Sequence, residues 1–189
     1  MQDTLARLAA ESDITRIIHL YCHALDRRRW ELMAEVFHED ARYGFGDIAG
    51  DWRAFVRTAR SIVDPLGPCH HIVANILMDI DGDVAEVETY VNGYHVVPAD
   101  YPPGLSTNGL YYSRPGERHA VIVGGRYLDR FEKRGPGWRI ARRTGVYDFI
   151  QELDYTDGGL SQSPPYALGA RGDTDPSRPV VARLLERVR

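Results

Sequence analysis

From Thr4 to Leu25 the apolar positions Leu5, Leu8, Ile14, Ile17, Ile18, Tyr21 and Leu25 recur mostly at intervals of three and four. That is the spacing of one buried helix face, and Ser12 or Asp13 offers a cap for a fresh start within it. Trp30, Leu32, Met33, Val36 and Phe37 outline a second short helix, which ends where His38, Glu39 and Asp40 turn polar; Ala41 to Phe45 follows as a small strand. Gly46 to Gly50 reads as a turn. Asp51 to Val63 predicts a third helix with Trp52, Phe55, Val56 and Ala59 on one side, broken by Asp64, Pro65, Gly67 and Pro68.

The second half changes period. His70 to Ile80 and Val84 to Val97 carry β-branched and aromatic residues around Asp81-Gly82-Asp83, which predicts a hairpin. His119 to Lys133 and Trp138 to Leu153 form a second pair of long strands across Gly135-Pro136-Gly137. Helices first and a run of antiparallel strands after them predict an α+β fold with the helices on one face of the sheet. Pro98 to Arg118, with four prolines and several tyrosines, reads as a lid or an interface loop. Beyond Asp154 the chain is rich in Gly, Ser and Pro until Pro176, after which Val180, Val181, Leu184, Leu185 and Val188 outline a short helix. The expected organisation is one domain over residues 1–153 and an extension, 154–189, that covers a pocket mouth or wraps a neighbouring subunit.

Composition narrows the function classes. With 189 residues and 43% hydrophobic content the chain supports one sizeable core. A net charge of -4 argues against nucleic acid, whose phosphates call for a basic face. No stretch approaches the roughly 20 apolar residues that cross a bilayer, and the N-terminus lacks the basic-then-apolar order of a signal peptide. A cytoplasmic protein with no membrane partner is the expectation. Cys22 and Cys69 have none of the spacings of a zinc or redox site and read as buried thiols.

There is no GxxxxGK[ST] loop, no complete glycine-rich dinucleotide fingerprint and no GxSxG elbow, so nucleotide cofactors and covalent hydrolysis are not expected. His70 and His71 point to opposite faces of a strand, and His19 and His23 have helical metal-pair spacing without the Glu of HExxH. No metal and no cofactor are therefore expected. What remains is acid–base chemistry. Asp26 ends an apolar helix, where it either caps the next short helix or meets a buried partner; His71 is either an ordinary strand histidine or that partner. From the residues alone the capping Asp26 and the ordinary strand histidine are the favoured readings.

The run Tyr21-x4-Asp26-Arg-x2-Trp30-x2-Met33-x3-Phe37-x2-Asp40-Ala41 resembles the opening of the SnoaL-like branch of the nuclear transport factor 2-like superfamily, to which scytalone dehydratase and lindane dehydrochlorinase belong. His71-x3-Asn75, the Asp-Gly-Asp hairpin, Gly125-Arg126-Tyr127-x-Asp129 and Trp138-Arg139-Ile140 match the same branch, over roughly residues 5 to 153. The resemblance implies a cone, with a curved, mostly antiparallel sheet wrapped against the helices around an internal pocket. It also implies that Asp26 and His71 form a catalytic dyad, and that Arg143 stabilises a leaving anion, against the alternative of a surface arginine beside Arg139 and Arg142.

Substrate contacts expected on the same basis are Tyr21, Tyr43 and Tyr127, with Tyr90 as a further tyrosine; Tyr43 is preferred because the dehydratase places a tyrosine on its first short strand. Asn75 is expected to orient His71 or line the cavity, and Trp52, Phe55, Val73 and Phe149 to form apolar walls. The implied activity is a cofactor-independent lyase that eliminates water, halide or a small carbon fragment from a hydrophobic, aromatic or cyclic small molecule, in a homodimer or homotrimer. The alternatives are an isomerase or cyclase on the same scaffold, a non-catalytic subunit like the β subunits of aromatic-ring dioxygenases, or a ligand-binding protein.

Overall fold

The computed structural model describes residues 2–45, 48–104, 111, 113–156 and 168–186. Helix α1 (Gln2–Asp26) runs unbroken through Ser12 and Asp13, so neither caps a new start. Its face Ile14, Ile17, Ile18, Tyr21, Cys22 and Leu25 is buried, each large apolar side chain contributing about 1.5–3 kcal/mol. That burial fixes the rotation of the helix about its axis. Leu5 and Leu8 stay exposed, because the buried face begins only at Ala10.

The second helical stretch is shorter than its pattern predicts. A 3-10 turn (Trp30–Leu32) leads into α2 (Met33–Val36), and Phe37 already starts strand β1 (Phe37–Phe45). Long-range pairing overrides the local pattern here: Phe37 is paired in parallel with Ile140, and the His38 ring meets the Glu132 carbonyl at 2.8 Å. Where a turn was expected at Gly46 to Gly50, Ile48–Asp51 forms strand β2, antiparallel to β1; residues 46 and 47 lie outside the described residues. Helix α3 (Trp52–Val63) starts at Asp51, whose side chain accepts the Ala54 N–H at 2.8 Å.

Strands β3 (Cys69–Asp81), β4 (Val84–Val97), β5 (His119–Arg134) and β6 (Gly137–Asp154) complete a mixed six-stranded sheet in the order β2-β1-β6-β5-β4-β3. Among the described residues only the β1–β6 pairing is parallel. The sheet is curved but not closed, and the helices share one core with it. Both hairpins use two-residue loops whose first residue is glycine with positive φ, Gly82 at 58° and Gly135 at 65°, a backbone state that costs other residues strain. Odd-numbered residues of β4 and β5, such as Ala85, Val87, Val91, Tyr127 and Phe131, face the helices.

The chain beyond β6 docks, in its described part, on the domain it follows. Gly172 donates to the Arg27 carbonyl at 2.6 Å. Helix α4 (Arg178–Glu186) buries Val181 in the main core. From the 98–118 insertion, Tyr101 and Tyr111 join Leu66, Cys69, Val97 and Val121 in a second core cluster; residues 105–110 and 112 lie outside the described residues. Among the described residues no helix is long and apolar enough to cross a membrane.

Candidate active site

Helix α1 ends by a hydrogen-bond pattern that fixes Asp26. Arg29 N–H returns to Ala24 O at 2.8 Å and Arg28 N–H to Leu25 O at 3.3 Å, with Arg28 at φ 53°. This paired 6→1 and 5→2 closure makes Asp26 the last helical residue. Arg28 is a non-glycine residue in the left-handed region, and its guanidinium is anchored on Leu66 O at 2.8 Å. The short helix that follows has no side-chain cap, so Asp26 does not cap it.

Both oxygens of Asp26 are instead engaged by His71. Oδ2 accepts the His71 backbone N–H at 2.9 Å and Oδ1 lies 2.7 Å from Nδ1. The two side chains are 12% and 10% exposed, so the pair is largely but not wholly removed from solvent. An ionised carboxylate only accepts, so the contact calls for a proton on Nδ1, and in the neutral ring that tautomer carries its lone pair on Nε2. His70 is exposed and His71 turned inward, as strand alternation dictates.

Opposite His71 on β4 stands Gly93, two residues before His95. A Cβ at Gly93 would lie 2.7 Å from His95 Cε1 and 3.4 Å from His71 Cδ2, so glycine leaves room for two imidazoles whose centroids are 5.1 Å apart. His95 is 3% exposed, packs edge-on to Tyr111, and has a buried Nδ1 without a hydrogen-bond partner among the described residues. Burial, and then the neighbouring His71, hold it well below the usual histidine range, so it is neutral. His95 was missing from the sequence-predicted set; strand alternation from Gly93 puts it on the dyad's face.

A second constellation gathers most of the remaining expected residues. Arg143 on β6 is fully buried, not on the surface, and forks onto Asp129 across the β5–β6 pair at 2.7 and 2.6 Å. Its guanidinium carbon is 4.1 Å from the Tyr21 ring centroid and 4.2 Å from that of Tyr127. Burial opposes its charge, but Asp129 and the tyrosine hydroxyls raise it well above the ordinary arginine value. Nη1 has no partner. Tyr21 and Tyr43 share a hydroxyl contact of 3.0 Å, and burial raises the phenols of Tyr21, Tyr43 and Tyr127, which keeps them protonated.

Trp52 and Phe55 belong to this cluster as stacking partners, Phe55 on Tyr43 and Trp52 on Phe37. Val73 is partly buried against the same core. Three expected residues lie outside this cluster. Asn75 is exposed at φ 47° on a β-bulge between Ala74 and Leu77, four residues and about 13 Å of strand beyond His71, so it does not orient the ring. Phe149 is 52% exposed and lies across Gly124, where its ring takes the space a Cβ would need. Tyr90 is 43% exposed on an even-numbered, outward position of β4.

The family model for the SnoaL-like domain matches residues 6–144, most of the chain. The chain belongs to the SnoaL-like family. Its fold is the nuclear transport factor 2-like cone, and solved structures share it at low identity. A provisionally assigned scytalone dehydratase from Novosphingobium aromaticivorans is 22% identical with a TM-score of 0.63, covering 92% of this chain and 98% of that one. A hexachlorocyclohexane dehydrochlorinase, LinA-type3, from Novosphingobium barchaimii is 15% identical with a TM-score of 0.64, covering 82% and 99%. A protein of unknown function from Mycobacterium tuberculosis is 21% identical with a TM-score of 0.59, covering 98% and 91%. No curated protein matches this SnoaL-like chain in sequence.

Proposed function

We propose that this SnoaL-like protein is a cofactor-independent lyase in which His71 removes a proton from carbon and Asp26 holds the imidazole for the task. The observation that carries this reading is the double contact of Asp26 with His71, one carboxylate oxygen on the backbone N–H and the other on Nδ1. With Nδ1 protonated, Nε2 takes the proton. The C–H electron pair becomes the new double bond, and the group on the adjacent carbon departs with its bonding electrons. The imidazolium so formed is stabilised by the carboxylate and can return its proton to a departing hydroxyl, giving water. The names of two structural neighbours, a dehydratase and a dehydrochlorinase, support elimination as the reaction class.

His95 Nδ1 is a buried polar atom beside His71 with capacity for one substrate hydrogen bond. Arg143, flanked by Tyr21 and Tyr127, supplies a charged donor in Nη1 for an anion that reaches the core cluster. Tyr21, Tyr43 and Tyr127, with Trp52 and Phe55, favour an aromatic or cyclic hydrophobic substrate. The protein is proposed to act in the cytoplasm as a homodimer or homotrimer.

The test is a panel of cyclic and aromatic compounds that carry a hydroxyl or halide β to a C–H bond, incubated with wild-type protein and with His71→Ala and analysed by mass spectrometry. Loss of water or halide with wild type only is the expected result. Products isomeric with their substrates, or equal turnover by His71→Ala, would overturn the proposal.

A further inference from the structure

Two helices end beside the dyad, and each leaves carbonyl groups that no intrahelical donor can reach. At the end of α1 these include Asp26 O and Arg27 O. Asp26 O receives Nε of Arg171 at 3.2 Å, and Arg27 O receives the backbone N–H of Gly172 at 2.6 Å. The same Arg171 guanidinium extends to Val63 O, the end of α3, at 3.4 Å, and to Leu66 O and Gly67 O at 2.7 and 2.9 Å. Gly67 and Pro68 are in turn tied to Val96 of β4, at 2.8 and 3.0 Å, immediately before β3 begins at Cys69.

One side chain therefore joins the end of the helix that carries Asp26, the end of α3 and the entry to the strand that carries His71. Its position suits a cation, because the negative ends of two helix dipoles converge on it, and its planar fork can serve several carbonyls at once. Further contacts set the arm that delivers it: Arg27 reaches Ala170 O at 3.4 Å, while Asp175 accepts from Ala170 N–H and Ser177 N–H at 3.0 and 2.9 Å. Arg171 lies outside the stretch that matches the family model, so this contact belongs to the extension of this chain.

We infer that Arg171 is a positioning residue for the dyad, fixing the distance between Asp26 and His71 by clamping the carbonyls at the end of α1 and at the entry to β3. The inference rests on the reading of Asp26 and His71 as the acid–base pair. Its effect passes through two observable groups: the His71 backbone N–H held by Oδ2 and the His71 ring proton held by Oδ1.

The experiment is NMR on the full-length protein with 15N-labelled histidine, comparing wild type, Arg171→Met, Arg171→Lys and Asp175→Ala. In Arg171→Met the His71 amide is expected to exchange at least about tenfold faster and the low-field Nδ1 proton to broaden or vanish. Arg171→Lys, which keeps a cation but loses the fork, should fall between. Asp175→Ala, which loosens the arm at Ala170 and Ser177 but leaves the Arg171 fork in place, should change both signals less than Arg171→Met does. Wild-type signals in Arg171→Met, with only a lowered melting temperature, would overturn the inference, as would an equal change in Asp175→Ala. If Arg171→Met does not fold, Arg171→Lys decides: faster His71 exchange supports the clamp and unchanged exchange refutes it. Neither signal depends on turnover, so a failed search for lyase activity leaves this test intact.

Discussion

Replacing Asp26 by Asn keeps the shape of the side chain and inverts the logic of its contact with His71. The backbone N–H of His71 is a donor in every state, so the amide oxygen of the introduced asparagine must take the place of Oδ2, 2.9 Å away. The amide NH2 then faces Nδ1 across the former 2.7 Å contact. Nδ1 must become the acceptor, and the proton moves to Nε2, the atom proposed to act as base. The opposite rotamer sets the NH2 against the His71 N–H and leaves a largely buried donor unpaired, at a cost of about 1–3 kcal/mol. That cost biases the wrong tautomer by a factor of about 5 to 150. Loss of the carboxylate's support for the imidazolium multiplies the effect, so turnover should fall by about 10²–10⁴. Nitrogen-15 NMR of the labelled ring reads the tautomer directly, and rates on a substrate from the panel read the consequence. An Asp26→Asn variant that keeps the Nδ1 proton, or that works within about twofold of wild type, would refute the reasoning.

The buried Arg143–Asp129 fork predicts that Arg143→Met alone destabilises the protein by about 3–5 kcal/mol in urea unfolding, because Asp129 stays buried without its partner. Arg143→Met with Asp129→Leu should lose much less, and a single-variant loss below about 1 kcal/mol would contradict the fork's role. His95 predicts a pH dependence. Its folded value lies well below the unfolded value of about 6.5, so its contribution to stability is complete above that pH and is lost as the pH falls toward the folded value, by up to about 1.4 kcal/mol per pH unit. Melting temperatures between pH 8 and pH 5 should show this slope in wild type and a shallower one in His95→Phe.

Much of the fold was legible because two signals coincide. In the β3–β4 and β5–β6 hairpins the apolar period is two and a glycine stands where the loop needs positive φ, so local chemistry and final pairing agree. The start of β1 at Phe37 and the strand at Ile48 were not legible, since both depend on edges supplied by distant segments. In the site, family resemblance drew attention to Asp26 and His71, but their bond is a fact of tertiary structure. Arg139, Arg142 and Arg143 look alike in sequence. Only the β5–β6 register, which sets Arg143 opposite Asp129, separates the buried one from those at the surface. Arg171 carries no local signal at all, because its acceptors are carbonyl groups roughly 100 or more positions away in the chain. Asn75 misled because a bulge was not foreseen: one shift in register turned a residue expected beside His71 outward.

The central claim is that His71, held by Asp26, takes a proton from carbon. Its most direct test is the rate of elimination from a panel substrate carrying deuterium at the C–H position that is lost, measured for wild type and His71→Gln. The account predicts a primary isotope effect in wild type, and a rate reduced by at least about 10² in the variant. Wild-type turnover without an isotope effect, even in single-turnover measurements that isolate the chemical step, together with His71→Gln near the wild-type rate, would contradict it.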